Sequence, residues 1–298
     1  MIITRNPYSL LALLIVITTF SCVSQKKFVA AKKELSGVDS QLVVHSDKLK
    51  DLDAQRIRKQ DQNTIDDTAN SRIQKYINKT KAEIDTLIKG NTVLIGETLV
   101  NKEDWGRLLK TLSSSRMSSK KIGDKISFLN DLINQNMVVK INQDVLFEPG
   151  KYTVAPDMAA AIGKVFEPAA IEIDRFTRKY PDFPLSLVIT AKGYADATAI
   201  SEGSGLYKDL KERLKISNPE PDAAALNKEL STARAQEVSE LFKKFAAGRA
   251  SNGNNLKNVL YLYEGKGDKF PDPDISDYTK DDPRRRVVLL FWSVFPDE

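Results

Sequence analysis

The absence of proline between Cys22 and Pro149 most constrains what this chain can fold into. The intervening residues are rich in Lys, Asp, Gln and Ala, a composition that favours long helices. Apolar residues also recur there at intervals that alternate between 3 and 4, which is a heptad pattern with charged residues between. Residues 22–136 are therefore predicted to form a helical, coiled-coil-like stalk. The first seam comprises Leu35, Val38, Leu42, His45, Leu49 and Leu52.

Local signals divide this stretch into helices. A polar interruption near residues 56–62 is followed by a second helical stripe, which Gly90-Asn91 is predicted to end. Asn101 and Asp104 suit the start of another helix. One helix over both stripes would be roughly 90 Å long, whereas a hairpin would be shorter. Because narrow-striped helices are marginal alone in water, we expect them to pack on each other, on a second copy or on a partner.

The N-terminus has the layout of a secretory signal that ends at a lipid-modified cysteine. Arg5 precedes an apolar run over residues 10–20, and Ser21-Cys22 follows it. This layout resembles a bacterial lipoprotein signal, so residues 1–21 are predicted to be cleaved and Cys22 to be acylated. The alternative is a retained anchor, but the run has 11 apolar-rich residues where a membrane span needs about 20.

Composition argues against several function classes. The formal net charge of +5 is too mild to indicate nucleic-acid binding. Cys22 is the only cysteine, so neither an intramolecular disulfide nor a cysteine metal cluster can form. His45 is the only histidine, which excludes histidine pairs for zinc or for acid–base chemistry. We therefore expect no enzyme activity, no metal and no cofactor.

From Met137 onward, short apolar runs alternate with amphipathic segments, which indicates an α/β or α+β domain over residues 137–298. Pro168 is expected to kink or split the first of its two long helices. The elements follow the order βαβαββ. Strands are predicted at residues 137–141, 185–189, 259–263 and 286–292, and helices at 158–180 and 222–247.

Three polar motifs are spread over this domain. They are Gly193-Tyr194-Ala195-Asp196, then Asn227-x-x-Leu230-Ser231-x-x-Arg234-Ala235, then Arg285-Arg286-Val287. Their order and spacing resemble the OmpA-like C-terminal domain, with patterns G-H-T-D, N-x-x-L-S-x-x-R-A and N-R-R-V. The resemblance implies an OmpA-like βαβαββ sandwich that holds peptidoglycan noncovalently.

The chemistry of the two central residues suits a zwitterion. Asp196 follows an apolar strand, where ligand groups collect in α/β sheets, and its carboxylate could take an ammonium. Arg234 lies near the core-facing edge of its helix and could take a carboxylate through a bidentate fork. The bland alternatives are a turn-forming aspartate and a surface ion pair of Arg234 with Glu229 or Glu237.

The other motif residues have supporting roles in the family that the sequence resembles. Gly193, Asn227 and Ser231 match positions that support the site, and one arginine of Arg285-Arg286 faces the wall peptide. Strand alternation decides which arginine points inward, and the sequence leaves that register open. The segment 197–225 is about 20 residues longer than the family pattern implies.

These observations predict a non-enzymatic tether in the outer membrane of a Gram-negative bacterium, facing the periplasm. Its partners would be the diaminopimelate-containing peptide of peptidoglycan and, through acylated Cys22, the membrane. A second copy or an envelope-complex partner would bind the stalk. The alternative is a wall-anchoring subunit of a larger envelope machine, such as a secretion or motility complex.

Overall fold

The computed structural model describes residues 25–98, 101–135, 137–155, 158–215, 220–248 and 256–296. The predicted signal peptide over residues 1–21 and the predicted acylation site Cys22 lie outside these residues. The described residues contain seven α-helices and one four-stranded sheet, which confirms the predicted α/β class. They group into two compact units, one of residues 25–53 and 75–130 and the other of 54–74 and 131–296.

Three long helices occupy the N-terminal half: α1 (Gln25–Asp61), α2 (Asp67–Gly96) and α3 (Lys102–Asn134). The first helix ends where the polar interruption predicts, so the single long helix does not form. Asn63 takes a left-handed backbone conformation with φ of 53°. Asp66 then accepts a hydrogen bond from the Ala69 backbone N–H over 2.7 Å and thereby caps the start of α2.

The first predicted apolar seam is buried in the first unit. Leu35, Leu42 and Leu49 of α1 are at most 1% exposed, and His45 of the same seam is partly buried. Polar side chains also lie in this core, in a layer formed by Asp39, Asn91 and Ser115. Asn91 donates to Asp39 Oδ1 over 2.6 Å and accepts from the Ser115 hydroxyl over 2.7 Å.

That layer explains why one predicted helix end is wrong. Asn91 is 1% exposed and its side chain is held from two other helices, so α2 continues past Gly90-Asn91 to Gly96. The start of α3 follows the prediction more closely. Asn101 accepts from the Asp104 backbone N–H over 2.8 Å, which is a capping interaction, and the helix begins at Lys102.

The second unit contains a mixed sheet with strand order β1-β4-β2-β3. Its strands are β1 (Val138–Asn142), β2 (Leu185–Gly193), β3 (Leu256–Gly265) and β4 (Val287–Pro296). Strands β2 and β3 are parallel, and β4 is antiparallel to both β1 and β2.

The helices of this unit are α4 (Gln143–Leu146), α5 (Ala159–Lys179), α6 (Gly205–Leu214) and α7 (Ala223–Ala247). Pro168 lies inside α5 without splitting it. Asp222 caps α7 by accepting from the Ala225 N–H over 2.7 Å, and α6 lies within the 197–225 segment. With α4 and α6 as short additions, the order of the main elements is the predicted βαβαββ.

The two central strands are buried on both faces. Gly193 of β2 faces α7, because a Cβ built on it would lie 2.0 Å from the Ser231 carbonyl oxygen. The preceding side chain, Lys192, points to the opposite face and pairs with Asp67 over 3.1 Å. Asn63 also contacts this face, donating to the Tyr194 hydroxyl over 3.0 Å. Residues 54–74 therefore belong to this unit.

Candidate functional site

A pocket of about 600 Å³ lies where β2 ends and β4 begins. Four of the seven predicted ligand-binding residues border it: Asp196, Asn227, Arg234 and Arg286. Three other predicted residues, Gly193, Ser231 and Arg285, lie outside its lining. The structure thus brings residues from three distant segments of the chain to one place.

Asp196 lies three residues past the end of β2 and is 8% exposed. One of its carboxylate oxygens accepts from the Thr198 N–H over 3.2 Å and from the Thr198 hydroxyl. The other accepts from Arg286 Nη1 over 3.2 Å. These contacts fix the carboxylate at the pocket and keep it paired with a guanidinium.

Arg234 lies on α7 and is also 8% exposed. Its Nε donates to the Lys151 carbonyl over 3.1 Å, and its Nη1 donates to Gln143 Oε1 over 2.5 Å. Two of the five N–H donors of the guanidinium are used in this way. The guanidinium also lies 5.3 Å from the centre of the Phe147 ring, at cation–π distance.

The electrostatic environment of Arg234 is dominated by burial. Desolvation lowers the pKa of its guanidinium to about 10, while the charges of Asp144 and Asp196 oppose that change. The guanidinium stays protonated at neutral pH. A poorly solvated cation that retains free donors is well suited to an incoming carboxylate.

Arg286 connects two carboxylates at the pocket edge. Its Nη1 contacts Asp196 over 3.2 Å and its Nη2 contacts Asp144 over 2.9 Å. Burial opposes the charge of Arg286, but the hydrogen bonds and charges of these two partners outweigh it and raise the pKa. With Glu148, the lining holds three carboxylates and two guanidiniums, so it carries both signs of charge.

Gly193 and Ser231 shape the site indirectly. The absence of a side chain at Gly193 lets α7 approach β2 closely, which sets the position of Arg234 one turn further along the helix. The Ser231 hydroxyl is fully buried and accepts from the Gly267 N–H over 2.9 Å. Asn227 donates to the Thr198 carbonyl over 3.1 Å, which ties α7 to the loop that carries Asp196.

Arg285 has a different environment from Arg286. It lies in a single turn of 3₁₀ helix (Pro283–Arg285) and is 5% exposed. Its guanidinium donates to the carbonyls of Thr279, over 3.1 Å, and of Asp268. Arg286 is therefore the arginine of the pair that faces the pocket, and Arg285 holds the preceding loop.

Gln143, which no sequence motif points to, connects the parts of this site. Its side-chain amide donates to the Tyr194 carbonyl over 2.7 Å and to the Val287 carbonyl over 2.9 Å, and its oxygen accepts from Arg234. Asp196 follows one of those carbonyls by two residues, and Arg286 precedes the other by one. One buried amide therefore holds the three segments that carry the charged groups.

Sequence reasoning also missed Asp144, the second partner of Arg286. The only local signal is Asn142, whose side chain accepts from the Asp144 N–H over 2.9 Å and starts the single turn of α4. Such a cap predicts a turn and says nothing about distant partners. Gln143 and Asp144 have functional neighbours only because β1 pairs with β4.

Within the described ranges, no group of three or more His, Cys, Asp or Glu side chains is arranged to hold a metal ion. None of the helices in the same ranges has the length and apolar character needed to cross a membrane.

The fold and pocket define an α/β domain with a charged ligand-sized cavity at one end of the sheet. No protein-family model matches the chain, and no curated protein sequence matches it. Among solved structures, it is similar to the OmpA-like domain of FopA1 from Francisella tularensis subsp. tularensis SCHU S4. That match has 19% identity and a TM-score of 0.27, and covers 53% of this chain and 72% of that one. At this identity and TM-score, the likeness carries no functional information.

Proposed function

We propose that this chain binds peptidoglycan noncovalently by holding the free end of diaminopimelate, which carries one ammonium and one carboxylate. The observation that carries the proposal is the convergence of Asp196 and Arg234 on one open pocket. Their opposite charges match the two ends of the ligand group. This role requires no catalytic acid–base pair and no bound nucleophile. In this proposal the protein therefore acts as a binder.

The mixed charge of the pocket favours a zwitterion over a simple anion. Three carboxylates against two guanidiniums would repel a polyanion, whereas they can solvate both ends of an amino-acid group. The two ion pairs of Arg286 would also let a ligand ammonium take its place at Asp196. When a ligand ammonium replaces it at Asp196, Arg286 keeps its contact with Asp144, so neither charge is left unpaired.

In this proposal the domain tethers the outer membrane to the cell wall. Acylated Cys22 would provide the membrane attachment, and the helical N-terminal half of the chain would link it to the domain. Several acyl chains on one cysteine anchor stably, whereas one chain binds only marginally.

Retention of the full-length chain on purified sacculi tests the proposal. Asp196→Ala and Arg234→Ala should each weaken binding by about 2–4 kcal/mol, or roughly 30- to 1,000-fold, because each leaves one charged end of the ligand unpaired. Asp209→Ala and Arg178→Ala change the same residue types at exposed positions outside the pocket and should bind normally.

Circular dichroism should show that all four variants are folded. Unchanged retention of both pocket variants would refute the clamp. Release of soluble muropeptides by the purified protein would refute a purely binding role.

A further inference from the structure

Part of the pocket lining is an apolar wall. Ile200 and Leu206, from the long segment after Asp196, form this wall together with Leu230 of α7. Leu230 is 8% exposed, and Ile200 and Leu206 are half-buried. Ser201 and Ser204 border the same pocket. The segment 197–225, which is longer than the pattern that the sequence resembles implies, thus lines part of the cavity through Ile200 and Leu206.

This wall is held in a defined position. Ser204 caps the start of α6, since its hydroxyl accepts from the Tyr207 N–H over 3.1 Å. The buried side of α6 packs on α7 through Leu210, which is fully buried. Arg213 of α6 also pairs with Glu229 of α7 over 2.8 Å. The apolar surface facing the pocket therefore belongs to a small core rather than to a free loop.

The pocket is also larger than one zwitterionic group requires. Cavities of roughly 300–1,000 Å³ enclose ligands of drug size, and this one measures about 600 Å³. The zwitterionic group would contact only the charged part of the lining, so the cavity has room for a neighbouring part of the ligand.

We propose that Ile200, Leu206 and Leu230 form a second subsite, which takes the methyl group of the alanine that follows diaminopimelate in the wall peptide. This inference rests on the proposed function. The alanine presents a methyl group that this wall can bury, and the Ser201 and Ser204 hydroxyls, which border the same cavity, can contact the peptide backbone.

Two tetrapeptides that differ by one methyl group provide the test, one with D-alanine and one with glycine after diaminopimelate. Titration calorimetry with the full-length chain should show about fourfold tighter binding of the alanine peptide, the factor expected for burial of one methyl group. Leu206→Asn should reduce the ratio of the two affinities to about one.

Leu214→Asn is the matched control, since Leu214 lies on the same helix and packs on the same core but does not border the pocket. It should keep the fourfold preference. Equal binding of the two peptides by the unmodified chain would overturn the subsite, as would a preference that survives Leu206→Asn. Failure of the unmodified chain to bind either peptide would instead refute the proposed function itself.

Discussion

Replacing Gln143 by Met tests whether one amide organises the site. Methionine has a similar length and no hydrogen-bonding amide, so the change removes three described hydrogen bonds with little change in volume. The Tyr194 carbonyl and Arg234 Nη1 each lose a partner, whereas the Val287 carbonyl keeps a bond from the Tyr194 N–H over 2.9 Å. Buried groups left unpaired cost about 1–3 kcal/mol each, so the free energy of unfolding should fall by about 3–5 kcal/mol.

Urea unfolding followed by circular dichroism measures this loss. With a slope of about 2–3 kcal/mol/M, the midpoint should fall by roughly 1–2 M without a change in slope. Affinity for sacculi, measured where the variant is still folded, should fall at least tenfold because Arg234 loses the contact that orients its guanidinium. Gln74→Met, at an exposed position of α2, is the control. A midpoint and affinity equal to those of that control would refute the role of Gln143.

Two further predictions concern packing in the same unit. Gly193→Ala should destabilise the domain by more than about 2 kcal/mol, since its Cβ would overlap the backbone of Ser231. Gly163→Ala, in an open helical position, should instead raise stability by about 0.5–1 kcal/mol. Thermal unfolding compares the two variants. Asp67→Asn should lower the free energy of unfolding by roughly 1–2 kcal/mol, because the buried Lys192 ammonium loses its counter-charge. Adding Lys192→Met should restore most of that loss. A double variant whose stability change equals the sum of the two single changes would contradict the pairing.

Patterns within short segments were enough to predict much of the fold. The heptad seam through Leu35, Leu42 and Leu49 depends only on spacing along one helix, and the structure buries it. The βαβαββ order follows from where apolar runs change period, and it is confirmed. Helix ends were less predictable. Gly90-Asn91 has the composition of a stop, yet Asn91 finds partners on two other helices and the helix continues.

Asp196 and Arg234 could be singled out because they match the motifs of the OmpA-like pattern and each lies beside an apolar element. Gln143 could not be, since its importance lies in contacts with Tyr194, Val287 and Arg234. Those residues are between 51 and 144 positions away along the chain.

The sequence by itself determined the helical N-terminal region, the α/β region and the order of their elements, and it singled out Asp196 and Arg234, which both border one pocket. Tertiary structure alone decided that Arg286 rather than Arg285 faces the pocket, and that residues 54–74 belong to the α/β unit. The physical reason is that spacing along the chain sets local periodicity, whereas strand register and long-range hydrogen bonds depend on which distant segments pack together.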